Sequence, residues 1–268
     1  LSKYANNSAV LFEVNKNIDY LKVNSASSKP VKACKILSIN LAKLVGSFIA
    51  DGSLSAQVAF TGKEKKDLQN IVDALSKNKQ RFSQNYSSSR KQFYVSINKT
   101  KMNEILVDSL LKNSKENQCH YGIELTDAYR DSVFFIKDLI KREFEIEPIS
   151  LEKRQNAWRA IYSNKILARY LLKFFSLWPG KKSDDALEPE LIKKSGLAIR
   201  KAFALGLLTF DGCITKQGKM CFSSNSKKLI ESLAEIWGKD GVKFGITESR
   251  GAYVINAYLE NKKKKLLE

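Results

Sequence analysis

Histidine is almost absent from this 268-residue chain: His120 stands alone, and the four cysteines (Cys34, Cys119, Cys213, Cys221) form no C-x-x-C pair. Structural zinc sites draw their Cys and His ligands from closely spaced pairs, so zinc is excluded as an organising metal. A Ser-His-Asp or Cys-His nucleophile would have to run through His120, which no recognisable motif surrounds; a surface or loop histidine is expected instead. Scattered cysteines in a lysine-rich chain read as reduced and mostly buried. No apolar run approaches the ~18–20 residues that a bilayer crossing needs, the longest candidate being residues 202–208. With no visible secretory leader, the expectation is an intracellular protein, in cytoplasm, nucleoid or organelle, with no membrane partner. Leu1 in place of Met and the Leu267-Glu268 ending suggest natural termini outside this sequence.

Acidic residues are also scarce. Asp and Glu number 28 against 46 Lys and Arg, a formal net charge of +18. Self-repulsion of that size is commonly offset by neutralising phosphates, so a polyanionic partner is expected. Most of the basic residues are Lys, which make point-charge phosphate contacts; only Arg81, Arg90, Arg130, Arg142, Arg154, Arg159, Arg169, Arg200 and Arg250 offer bidentate guanine readout. At 43% hydrophobic and 28% charged, the chain is ordinary globular material, long enough for one large domain or two smaller ones.

A repeated phrase organises it. Leu41-Ala42-Lys43-Leu44-Val45-Gly46-Ser47-Phe48-Ile49-Ala50 is an apolar helical stretch ended by Asp51-Gly52. Ala202-Phe203-Ala204-Leu205-Gly206-Leu207-Leu208-Thr209-Phe210 is another, ended by Asp211-Gly212. The sequels match as well: Phe60-Thr61-Gly62-Lys63 and Phe222-Ser223-Ser224-Asn225 each lead into an amphipathic helix, at residues 68–75 and 229–237. Internal duplication is the simplest account. Residues 90–98 alternate polar Arg90, Gln92, Tyr94, Ser96 and Asn98 with apolar Phe93, Val95 and Ile97, the period of a half-buried strand. Residues 242–258 read as a hairpin turning at Ser249-Arg250-Gly251. A strand-helix-strand-strand-helix unit at 121–177 either completes the first repeat, making residues 56–118 an insertion, or is an additional module.

The two Asp-Gly phrases resemble the paired signatures of LAGLIDADG homing endonucleases of the single-chain, two-motif kind found in inteins and archaeal introns. The resemblance implies an α+β fold: a pseudo-two-fold pair of αββαββ(α) repeats with DNA-binding antiparallel sheets, plus an extra βαββα unit. The expected organisation is an N-terminal extension (1–40), a first repeat with the inserted or additional unit (41–178), a linker (179–200) and a second repeat (201–268) whose closing helix is either absent or cut away. Two copies of the motif in one chain imply a monomer.

The residues themselves support the match. Gly46 and Ala50 share one helix face, as do Gly206 and Phe210, and small residues there let a second helix come close. Asp51 ends its helix, with Gly52 suited to a left-handed cap. A carboxylate faces the negative dipole end there, and two side by side repel each other; a divalent cation between them makes sense of both placements. Hard oxygen donors suit Mg²⁺.

The resemblance further implies that Asp51 and Asp211, with the carbonyls of Ala50 and Phe210, hold ions over the scissile phosphates of double-stranded DNA. It places Lys63 and Lys66 of the first repeat, and Asn225 and Lys228 of the second, as water-positioning and phosphate-neutralising groups. Arg90, Gln92, Tyr94, Ser96 and Asn98, then Lys216, Lys219, Arg250 and Asn256, are the expected DNA contacts. Phe210 departs from the family, which has Gly or Ala at that position, and its ring is expected to open the helix contact or pack off its axis. The rival expectation is a non-cutting relative, an intron RNA maturase or a DNA-binding regulator. A basic structural protein would require the repeat to be coincidence.

Overall fold

The computed structural model describes residues 10–15, 18–23, 31–32, 34, 36–99, 103–113, 117–177, 186–216, 218–249 and 251–258. Strands β1 (Val10–Asn15), β2 (Ile18–Val23) and β3 (Val31–Lys32) form a small antiparallel sheet ahead of helix α1 (Ile39–Asp51). Then come β4 (Gly52–Gly62), a 3₁₀ turn (Lys65–Leu68), α2 (Gln69–Lys77), β5 (Ser83–Ser87), β6 (Gln92–Asn98) and α3 (Glu104–Asn113). The first half ends with β7 (Asn117–Asp127), α4 (Arg130–Phe144), β8 (Ser150–Arg154), β9 (Ala157–Tyr162) and α5 (Lys165–Phe175). A short α6 (Glu190–Lys193) leads to α7 (Leu197–Asp211), β10 (Gly212–Ile214), β11 (Lys219–Ser224), α8 (Lys227–Lys239), β12 (Phe244–Ser249) and β13 (Ala252–Tyr258). The architecture is α+β with antiparallel sheets.

The two larger sheets share one plan. One runs β5-β6-β4-β7-β9-β8 and the other β10-β11-β13-β12, so the strands β4-β7-β9-β8 of the first follow the order of the whole second sheet. Their registers also agree. Gly52 stands opposite Leu125 as Gly212 stands opposite Phe222. Leu125 faces Ala160 as Phe222 faces Ile255, and those two face Leu151 and Ile246. Since a one-residue slip turns every side chain to the other face, this match aligns the two buried faces position by position. β7 pairs directly with β4, so the βαββα unit and the strand that follows α1 share one sheet. Two further strands come between β4 and β7 in the chain. There β6 and β5 lengthen the sheet beyond β4, and α2 and α3 help enclose a small second core around Val58, Phe60, Leu75, Val95, Ile97 and Val107.

Helices α1 and α7 cross in the middle of the main core. Both are apolar over most of their circumference, as suits helices buried between two layers. A methyl built on Gly46 overlaps the Phe203 carbonyl oxygen and comes within 3.0 Å of the Leu207 nitrogen. One on Gly206 overlaps the Lys43 carbonyl oxygen and lies 2.9 Å from the Ser47 nitrogen. The buried Ser47 hydroxyl donates to the Gly206 carbonyl at 3.1 Å. Backbone meets backbone at this crossing, so Gly is the only residue that fits on either side. Phe210 does not open the contact; it packs half-buried against the main core.

Gly52 and Gly212 correct a local expectation. Their φ/ψ values, −81/152° and −82/151°, are extended rather than left-handed, so the chain passes straight from helix into strand. Glycine is required there for space. A Cβ on Gly52 would lie 2.6 Å from a Phe48 ring carbon, and one on Gly212 would overlap the Leu208 carbonyl oxygen.

A charged cluster anchors the start of α7. Arg200, only 3% exposed, donates from Nε and Nη2 to both Glu188 oxygens at 2.7 Å, and from Nη1 to Glu235 of α8 at 2.8 Å. Hydrogen bonds from Arg200 and then Lys239 pull the Glu235 carboxyl from its ordinary 4.5 down to about 2. Ser226, the N-cap of α8, also donates to the Ala186 carbonyl at 2.6 Å, so the segment before α6 is tied to both helices.

Gly46→Ala or Gly206→Ala is expected to cost about 3 kcal/mol of stability, measured by denaturant unfolding, because no low-energy shift separates two backbones in contact. Arg200→Met leaves the Glu188 carboxylate buried without its partner, an expected loss of about 3–5 kcal/mol. Because Glu235 is depressed in the folded state, its contribution is present above pH 4.5 and disappears as the pH falls towards 2. Acid unfolding curves should show a smaller loss across that window in Arg200→Met.

Candidate carboxylate site and nucleic-acid interface

Beyond the glycine crossing, α1 and α7 each continue five residues to an exposed aspartate, Asp51 and Asp211. Both carboxylates sit at helix C-termini, where the backbone dipoles already concentrate negative charge. The two tips lie on the same side of the molecule: Ile49 and Ala50 of α1 line one cavity of about 280 Å³ together with Asp211, Ser224 and Asn225. The cavity is open, and Ser224 and Asn225 are supplied by the end of β11. Lys228 is exposed in the first turn of α8, three residues beyond Asn225.

Lys63 and Lys66 stand at the far end of the strand that follows α1. β4 runs unbroken from Gly52 to Gly62, a span of about 33 Å at the ~3.3 Å rise per residue, and Lys63 follows it. Lys66 sits farther along in the 3₁₀ turn, exposed and paired with Glu64 at 2.7 Å. Register aligns other residues with the end of β11. Thr126, Asp127 and Ala128 stand where Ser223, Ser224 and Asn225 do, and the N-caps Tyr129 and Ser226 follow in both halves. Arg130, the first residue of α4, thereby matches Lys227; its guanidinium lies over the rings of Phe134 at 4.5 Å and Trp158 at 5.5 Å. Asp127 accepts from the Tyr129 backbone N–H at 2.9 Å, turning the chain into the helix. The signal for this was in the sequence: residues 52–60 alternate for too long to be the counterpart of the short strand after Asp211.

The sheet faces turned away from the core carry the polar side chains. On β6, Gln92, Tyr94 and Ser96 are half-buried and Asn98 is exposed, while Val95 and Ile97 on the other face are buried. Asn98, Ser96 and Tyr94 register with Gln57, Ala59 and Thr61 of β4, extending one outward face across strands. Arg90 differs from its expected position: it is exposed in the β5–β6 turn and not on the strand. The surface reading of His120 agrees with its exposed place opposite Gln57 on the same face.

Nearer the helix tips, Arg159 donates to both Glu124 oxygens at 2.9 and 2.7 Å, holding that carboxyl below the usual range. Sequence reasoning missed this pair, whose partners are 35 residues apart. In the second half, Lys216 is exposed in the β10–β11 turn, Lys219 is half-buried on β11, and Asn256 on β13 registers with Cys221. Arg250 lies outside the described residues.

Among the described residues no three His, Cys, Asp or Glu side chains gather to form a metal site. Two carboxylates at the negative ends of adjoining helices do fit a hard divalent cation, provided that the remaining ligands come from water or a bound phosphate. Among the described residues no helix is long and apolar enough to cross a membrane.

No protein-family model and no curated protein matches this chain. It is similar to solved structures of the homing endonuclease I-DmoI. Against mesophilic variants of I-DmoI the identity is 16% and the TM-score 0.46, covering 83% of this chain and 90% of that one. Against I-DmoI in complex with DNA and Mn the identity is 16% and the TM-score 0.47, covering 84% and 92%.

If Asp51 and Asp211 share a cation, Mg²⁺ or Mn²⁺ should raise the melting temperature of the wild-type chain. The Asp51→Asn/Asp211→Asn double variant should show no such rise.

Proposed function

We propose that this protein is a site-specific endonuclease of the LAGLIDADG type, which hydrolyses both strands of duplex DNA with the help of divalent cations. One observation carries the reading: two helices in backbone contact end in aspartates at equal distances from their crossing, each leading directly into a sheet of the same order and register. In this reading residues 41–178 form the first repeat, with the stretch between β4 and β7 inserted in it. Residues 179–200 link it to the second repeat, 201–268, while 1–40 form an extension. Both halves reside in one chain, so a monomer suffices for a double-strand cut.

Asp51 and Asp211, with the carbonyls of Ala50 and Phe210, would hold the cations, and hard oxygen donors favour Mg²⁺. When bound, such ions stabilise the charge developing on the phosphoryl and leaving 3′ oxygens. The chain's own groups position the reaction. Asn225, in the cavity with Asp211, orients water at one strand. Lys227 and Lys228 neutralise the adjacent phosphate, and Arg130 does so on the other half. Gln92, Tyr94, Ser96 and Asn98, with Lys219 and Asn256, contact the duplex, while Lys216 and Arg90 meet phosphates from turns. Ala128 and Asn225 occupy matching places and differ, so the two strands are cut at unequal rates. Neither of these two is a lysine, which is the observation favouring a non-cutting binder, such as an RNA maturase or DNA regulator.

The test is cleavage of a plasmid library carrying candidate sites, with Mg²⁺ or Mn²⁺ and without. The wild type should linearise the target only with the ion, and Asp51→Asn or Asp211→Asn should each lower cleavage by more than about 100-fold, equivalent to about 2.7 kcal/mol of barrier. Specific binding with no cutting in either ion would replace this reading with the binder.

A further inference from the structure

Starting from the matched positions Gly52 and Gly212, the two halves extend outward by very different lengths. β10 has three residues before its hairpin turns back as β11, whereas β4 has eleven. The last part of β4 no longer depends on β7 alone: from Gln57 to Gly62 it pairs with β6, and β6 in turn pairs with β5 from Gln92 to Ser96. The first half therefore has three additional strand segments where the second half has already reversed.

The chemistry of that extension is distinctive for so basic a protein. The residues turned outward on it, among them Gln57, Asn85, Gln92, Tyr94, Ser96 and Asn98, are neutral donors and acceptors. Positive charge is placed at its rim, where Arg90 and Lys91 form the β5–β6 turn and Lys63 and Lys65 follow β4. Phosphates are met by point charges, whereas base edges are read by amide and hydroxyl groups that discriminate donor from acceptor. A neutral hydrogen-bonding face with a basic border has the arrangement that base readout requires. The small core beneath it, separate from the main one, keeps this face rigid without relying on the helix crossing.

We infer that the β4-β6-β5 face is a base-reading extension, so that the protein reads one side of its DNA target farther from the cut than the other. The inference rests on the endonuclease reading above. The eight residues by which β4 exceeds β10 reach about 26 Å farther, equivalent to about 5–8 base pairs when the slant of strands in a groove is allowed for. The extension reads sequence at a distance from the chemistry and contributes nothing to the cutting step.

The experiment is selection from a randomised duplex library long enough to span both halves, in Ca²⁺, followed by mapping of the cut in Mg²⁺. The expected sequence preference extends farther on one side of the cut. Base substitutions at those distal positions should weaken wild-type binding by about 5–100-fold each. The triple variant Gln92→Ala/Tyr94→Ala/Asn98→Ala should lose that distal preference, to less than about 2-fold per position, while still selecting the positions nearer the cut. Retained proximal selection shows that the variant is folded. A preference symmetric about the cut, or a triple variant with an unchanged distal preference, overturns this inference and leaves the endonuclease reading intact. A wild type that selects no sequence overturns both.

Discussion

Where α1 crosses α7, no side chain separates the two backbones. Gly46 and Gly206 are each pressed against a carbonyl oxygen of the other helix, and the Ser47 hydroxyl closes the contact with a buried hydrogen bond. The placement of the candidate site follows from that constraint. Helices in backbone contact have little freedom to slide, so the equal five-residue run from each glycine to its aspartate becomes a fixed relation between two carboxylates. The extended Gly52 and Gly212 then carry the same relation into the first strand of each sheet. Both acids also lie at helix C-termini, where the backbone dipoles already concentrate negative charge.

The second theme is symmetry in the frame and asymmetry in what is mounted on it. Strand order and register agree between the halves, because those features decide which residues enter the core. The outward-facing and loop residues are under no such constraint, and they diverge. Asn225 holds the position that Ala128 holds in the first half, Lys227 matches Arg130, and a three-residue strand matches an eleven-residue one. The long strand was possible only because a second core formed beneath its far end. Without Val58, Phe60, Val95 and Ile97 buried against α2 and α3, the outer part of β4 would be an unsupported edge.

Reading residues in order recovered more of the frame than of the site. The two helix endings, the role of the small residues at Gly46 and Gly206, and the alternation along β6 follow from local periodicity and spacing. Lys63 and Lys66 do not share the register of Asn225 and Lys228, for a physical reason. Phe60-Thr61-Gly62 and Phe222-Ser223-Ser224 look alike in one dimension, yet the first ends a strand that began at Gly52 and the second ends the strand opposite Gly212. Local pattern cannot distinguish a strand that continues outward from one that is returning. The Arg159–Glu124 and Arg200–Glu188–Glu235 clusters were invisible for a related reason, since their members meet only after the sheet and helices have assembled.

The sequence by itself determined the duplicated helix endings and the pair of acids, because these are written in short-range pattern, and the α+β expectation followed from the resemblance that they carry. Only the tertiary structure decided that β7 pairs with β4, so that the strands after residue 117 join the sheet that follows α1. It also decided that Asp127 and Arg130, and not Lys63 and Lys66, share the register of Ser224 and Lys227. Those are matters of which strand pairs with which, and that choice is made by burial and hydrogen bonding between segments far apart in the chain, which no local pattern encodes.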